Sequence, residues 1–156
     1  MRTAIFSDTH GNTAKMIKKV QEISPELIIH LGDYERDTLI LKEKFPDIPI
    51  YNVRGNCDIT GESPLQQVVD IGPVKALLTH GHLYDVKWGN LQRLAYAAME
   101  AGARIALFGH THQPCYEDYG NIKLINPGTA GQGKDLTWAF IEVKENGAVF
   151  CDIRKL

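Results

Sequence analysis

Two things are scarce in this 156-residue chain: cysteine, and any imbalance of charge. The three cysteines, Cys57, Cys115 and Cys151, are odd in number, widely spaced and never form a C-x-x-C pair. That pattern argues against a zinc ribbon or a redox dithiol and fits a reduced, intracellular setting. Lysine and arginine number 17 against 19 aspartates and glutamates, a formal charge of −2. No global field therefore draws in nucleic acid or an acidic membrane surface, and the cluster Lys15, Lys18 and Lys19 reads as a solvated helix face. No stretch approaches the ~20 apolar residues of a membrane span. The opening MRTAIFSD turns polar too soon for a signal peptide. Repeats, low-complexity segments and linkers are also missing. The expectation is a cytoplasmic protein folded as a single domain over residues 1–156, with neither membrane nor nucleic acid as its main partner.

The first half alternates short apolar runs with helical periodicity. TAIFSD, LIIHLGD and IPIYNV read as strands. Between them, Met16, Ile17, Val20 and Ile23 follow helical spacing with Asn12 as a plausible N-cap, and 38–45 forms a second helix before Pro46. Strand-helix-strand-helix-strand argues for parallel pairing with helices on the faces. The second half is richer in strands. QQVVDI and VKALLTHG flank Gly72-Pro73, a helix runs from about Asn90 to Ala101, and RIALFGH follows. Four further β-like runs are joined in pairs by the turns at Gly120-Asn121 and Asn146-Gly147. An α/β fold whose second sheet is largely antiparallel is expected.

Five of these runs end in polar tips: Asp8-Thr9-His10, Gly32-Asp33, Gly55-Asn56, His80-Gly81-His82 and Gly109-His110-Thr111-His112. Residues just past the carboxyl ends of strands in an α/β sheet gather in one crevice. Five of the six histidines lie in these tips, the exception being His30 inside LIIHLG. Carboxylate, amide and imidazole donors suit Mn²⁺, Fe²⁺, Ni²⁺, Co²⁺ or Zn²⁺. Seven such donors exceed one ion's needs but serve two ions that share a carboxylate and a bridging hydroxide. Two divalent ions, two carboxylates and one hydroxide leave a residual charge of about +1, which attracts a phosphate diester. Hydroxide attack at phosphorus then needs no protein nucleophile.

The blocks SDTHGN, LGDYE, RGNCD, THGH and FGHTHQP, in that order, resemble the calcineurin-like metallophosphoesterase superfamily. Length and the GNCD variant resemble its short bacterial and archaeal phosphodiesterase branch, and INPGT resembles a late element of the family. The resemblance implies two packed mixed β-sheets flanked by helices, a four-layer α/β fold. It also implies a cofactor of two divalent ions, Mn²⁺ foremost. One would be held by Asp8, His10 and His112, the other by Asn56, His80 and His110, with Asp33 bridging. Asp33, Asn56 and His80 would hold the nucleophile. Asn12, Arg54 and His82 are candidate contacts for a small phosphoester substrate, and homo-oligomers occur in the branch. Each residue also has an ordinary explanation: a cap for Asp8, a turn for Asp33, a satisfied core histidine for His80, His110 or His112. The joint pattern outweighs them.

The stretch VRGNCD departs from relatives that carry histidine where Cys57 stands. That histidine is thought to protonate the leaving alkoxide, so the general acid is open here, with Asp58, His82 or a metal-bound water as candidates. Alternation along an extended chain would turn Cys57 away from a site that Asn56 faces. Asn126-Pro127-Gly128 reads as a rim turn that matters through its backbone. A phosphodiesterase is the leading expectation. A phosphomonoesterase or pyrophosphatase of the same superfamily, or a non-catalytic scaffold on the same fold such as the retromer subunit, are the alternatives.

Overall fold

The structure, a computed structural model, describes residues 1–156. The first half runs β1 (Arg2–Phe6), α1 (Ala14–Ile23), β2 (Leu27–His30), α2 (Asp37–Lys44) and β3 (Ile50–Asn52). Next come β4 (Gln66–Ile71), β5 (Val74–Thr79), two short 3-10 turns (His82–Tyr84 and Val86–Trp88) and α3 (Gln92–Glu100). The chain closes with β6 (Ile105–Leu107), β7 (Pro114–Tyr119), β8 (Ile122–Pro127), β9 (Thr137–Val143) and β10 (Val149–Lys155).

The strands form two five-stranded sheets, ordered β10-β9-β1-β2-β3 and β4-β5-β6-β8-β7. Alternation along each central strand divides its side chains between two interfaces. Ile5, Leu27, Ile29, Ile105 and Leu107 enter the core between the sheets, a cluster of 16 buried residues. Their neighbours Ala4, Phe6 and Ile28 face the other way and pack with Met16 and Val20 of α1 and Leu41 of α2. Ala106 and Leu124 likewise meet Leu94, Ala95 and Ala98 of α3 on the far face of the second sheet. Helices, sheet, sheet and helix make four layers. Burial on both faces is why the central strands read as near-continuous apolar runs.

Two expectations are corrected. The second sheet is mixed rather than largely antiparallel: β5–β6 and β6–β8 are parallel, and only β4–β5 and β7–β8 are antiparallel. The β9–β10 hairpin joins the first sheet beside β1, because Ala139, Ile141 and Val143 alternate into the core between the sheets. Helix α1 starts at Ala14 with Thr13 at its N-cap, so Asn12 is not the cap; its Nδ2 donates to the Gly131 carbonyl at 3.3 Å.

Strands β1, β2 and β3 are parallel, as are β5 and β6. Their carboxyl ends deliver the five polar tips.

Candidate metal centre

Backbone strain is concentrated at these tips. Eight non-glycine residues have positive φ, and five are expected ligands: Asp8 (54°), His10 (47°), Asp33 (56°), His110 (68°) and His112 (59°). Aspartate and histidine tolerate the left-handed region better than most residues, but a strained residue persists only where its surroundings over-determine it. Here loops from separate strands hold each other. The Asp8 N–H donates to Gly32 O (3.0 Å), Gly109 N–H to His80 O (3.0 Å) and Ala130 N–H to Ser7 O (2.9 Å). The approach is close enough that a Cβ on Gly55 would fall on the Asp33 carboxylate.

One ligand atom each from Asp8, His10, Asp33 and His112 lies within 4.8 Å of the others. His112 Nε2 is 3.1 Å from Asp8 Oδ1, and His10 Nε2 is 3.7 Å from Asp33 Oδ2. Asp8 Oδ1 and His10 Nε2 are nevertheless buried without a hydrogen-bond partner. Atoms that converge while misaligned for hydrogen bonding suit an ion between them, since an unpaired buried polar atom is otherwise costly. The remaining donors sit alongside. His80 Nδ1 lies 2.8 Å from Leu31 O, which can only accept, so this nitrogen carries the hydrogen. In the neutral ring Nε2 then offers a lone pair, 3.2 Å from Asn56 Oδ1 and 3.5 Å from Asp33 Oδ1. Acceptors facing one another call for a cation. The His110 ring lies 5.0 Å from that of His80.

Electrostatics prepares the same donors. Burial opposes the charge of Asp8, yet His112 and His80 outweigh it and hold the carboxyl below its ordinary range. Asp8 in turn raises His112. Burial, with His80 and Lys87 nearby, pushes His110 down to about 4, leaving a neutral imidazole as metal binding requires. His82 is lowered by burial and by His80. Its ring lies 5.5 Å from that of His80, and its Nδ1 is buried without a partner.

Several residues take roles other than those expected. Asn56-Cys57 is a turn rather than extended chain, so Cys57 is not turned away: it lines the same cavity as His10. Burial and the Asp33 carboxylate push its thiol up to about 11, which leaves too little thiolate to act as a nucleophile. Asp58, a general-acid candidate, is instead a staple. Its Oδ1 accepts from the Tyr34 and Glu35 N–H groups and its Oδ2 from the Gly55 N–H, each at 2.8 Å. Arg54 donates Nη1 to Gly61 O (2.9 Å), which ties it to the 57–62 loop. Asn126 acts through its side chain, not merely its backbone. Fully buried, it donates to Gly109 O (2.8 Å) and Thr111 Oγ1 (3.0 Å) and accepts from the Gly128 N–H, gripping the loop that carries His110 and His112.

His30 is structural, as its apolar setting suggests, and its partners are informative. The Gly32 N–H donates to Nδ1 (3.3 Å), which places the ring hydrogen on Nε2 for Thr9 Oγ1 (3.0 Å). The Thr9 hydroxyl passes its own hydrogen to Asp37 Oδ2 (2.7 Å), which also accepts the Gly11 N–H (2.8 Å). This buried chain links the loops of Asp8, His10 and Asp33, and burial pushes His30 down to about 4. Sequence reasoning gave Asn126 only a backbone role and missed Asp37. For Asn126 a signal existed, a polar residue embedded in the apolar run IKLINP; for Asp37 there was none.

Two layers of sheet with this crevice at their strand ends define a known architecture. The profile of the calcineurin-like phosphoesterase superfamily domain matches residues 1–146. A probable metallophosphoesterase of Bacillus subtilis is 36% identical over 132 residues, covering 83% of this chain and 75% of its own. A phosphodiesterase of Methanocaldococcus jannaschii is 28% identical over 145 residues, covering 82% and 83% respectively. Among solved structures, Vps29 of Entamoeba histolytica complexed with Zn²⁺ has the same fold, with a TM-score of 0.79 at 19% identity over 99% of both chains. The chain belongs to the calcineurin-like phosphoesterase superfamily.

Proposed function

We propose that the chain, acting as a single domain over residues 1–156 in the cytoplasm, hydrolyses phosphodiesters at a centre of two divalent ions. The observation that carries this reading is the convergence of Asp8, His10, Asp33 and His112 within 4.8 Å, with buried acceptor atoms left unpaired. Asp8, His10 and His112 hold one ion, Asn56, His80 and His110 the other, and Asp33, within reach of both histidine sets, holds both. Ions held there would supply a water acidic enough to attack phosphorus near neutral pH and positive charge to offset that on the phosphoryl oxygens.

The chain's own residues do the rest. Leu31 O fixes the His80 tautomer that presents Nε2 to the centre, as ligating histidines generally require. Asn56 supplies oxygen without negative charge, keeping the centre attractive to an anion. His82, beside His80 and His110, is the side chain best placed to meet substrate or donate a proton. The phosphodiesterase name of the archaeal relative supports the diester preference. A complete set of seven donors supports an enzyme over a scaffold.

The test is hydrolysis of a generic aryl phosphodiester and its monoester after chelation and readdition of single metals. Diester cleavage should depend on Mn²⁺ or Ni²⁺ and exceed monoester cleavage. Inactivity toward both, with no bound metal by anomalous scattering, would put the scaffold reading ahead; a monoester or pyrophosphate preference would move the enzyme within its superfamily.

A further inference from the structure

A cavity of about 780 Å³ opens beside the metal centre, sharing His10 with it and lined also by Cys57. That volume suits a drug-sized organic group rather than a phosphate alone. Beyond His10 and Gln132, its walls come from two segments: one that follows Asp33 and runs into α2, and residues 57–62. Apolar side chains project from both. Leu39 is 62% exposed and Ile59 86% exposed, and both line this one cavity. Single exposed apolar residues are ordinary, but two on different segments, Leu39 on α2 and Ile59 on the 57–62 loop, lining one cavity beside an anion site make a surface for an apolar face. Tyr34 extends it, its ring centre 5.2 Å from that of His10, with the Arg36 guanidinium 5.1 Å over the Tyr34 ring. His10 thus joins the cavity to the centre, so that an organic group esterified to a phosphate there would extend into the cavity.

Charge narrows the occupant. Glu35, Asp58 and Glu62 line the cavity, and none forms an ion pair with a lysine or arginine. Arg36 is the one cation in the lining, so three carboxylates against one guanidinium leave a charge of −2 beside a centre that is positive when metals are bound. Carboxylates lining the cavity repel a second anion, most strongly at low ionic strength. One phosphate is drawn to the metals, and a second anion reaching into the cavity is repelled.

Resting on the phosphoester reading above, we propose that this cavity binds the uncharged, flat organic group of the substrate, a nucleoside-sized alcohol, and discriminates against substrates that carry a second anionic group there. Selection of this kind separates simple diesters from pyrophosphates and from bisphosphates.

Three probes with one organic group each test it: methyl phosphate, thymidine 5′-phosphate and thymidine 3′,5′-bisphosphate. Each is titrated calorimetrically into the manganese-loaded protein and assayed as a competitor of aryl diester hydrolysis. Thymidine 5′-phosphate should bind at least tenfold more tightly than methyl phosphate, and the bisphosphate several-fold more weakly than thymidine 5′-phosphate. Ile59→Ser should weaken thymidine 5′-phosphate about fivefold more than methyl phosphate. Glu62→Lys should recover most of the bisphosphate's loss. Equal binding of the first two probes, tighter binding of the bisphosphate, variants that shift all three alike, or binding of none would each overturn the proposal. The two readings fail separately. Calorimetric preference for the nucleoside without diester cleavage would sink the phosphodiesterase reading alone, and cleavage without probe preference would sink the cavity alone.

Discussion

The two halves of the candidate centre differ in how finished they are. Asp8, His10, Asp33 and His112 converge around one point, and all but His112 and His10 are buried. Asn56, by contrast, sits exposed on a turn, is neutral, and also turns its Nδ2 toward Cys57 Sγ (3.6 Å). The first half is held by the His30–Thr9–Asp37 chain, while the grip of Asn126 serves His112 and His110 alike. The second depends on a loop stapled by Asp58. A preformed site binds its ion with less reorganisation, so the first metal should bind more tightly than the second.

The largest effect should come from removing the residue common to both halves. Asp33→Ala should lower diester kcat/KM by 1,000-fold or more and empty both sites, as counted by metal analysis after gel filtration; two fully occupied sites in that variant would break the assignment. Asn56→Ala should instead cost about a hundredfold and leave one tightly held ion, seen as one of two calorimetric binding phases. Loss of both phases would mean that the halves are not separable.

The next prediction concerns the scaffold beneath the first half. His30 is fully buried with its pKa pushed down to about 4, against ~6.5 when unfolded. Below pH 6.5 the unfolded chain binds a proton that the folded one refuses, so stability falls as pH drops from about 6.5 to about 4. For His30 the loss is up to about 3 kcal/mol, and His110, also held near 4, steepens the same slope. Urea midpoints of the metal-free protein across this range should fall with pH, and His30→Asn should flatten the curve.

The smallest effect should be at Cys57. With its thiol held near 11, Cys57→Ala should keep diester activity within about threefold, and iodoacetamide should label the native protein slowly at pH 7.5. A folded, metal-loaded but inactive Cys57→Ala would restore a chemical role to the thiol.

Much of the fold was legible along the chain because its signals are local. Both-face burial makes TAIF, LIIH and IAL unbroken apolar runs, and helical spacing marks Met16 and Val20. The polar tips were legible because each follows a strand, although the side on which Cys57 falls was not, since a turn and an extended strand look alike in GNCD. The cap of α1 was misplaced because the Asn12 side chain engages the Gly131 carbonyl, far along the chain, and the helix begins after Thr13 without a side-chain cap.

What the sequence determined by itself is therefore the set of candidate donors and the strands that carry them, because strand periodicity and the identity of polar residues at strand ends are properties of a few adjacent residues. Only tertiary structure decided that β9 and β10 complete the first sheet, that Asp58 and Asn126 hold loops, and that carboxylates outnumber cations in the lining of the cavity beside the centre. Those outcomes depend on which segments far apart in the chain become neighbours, and that is settled by burying both faces of both sheets at once.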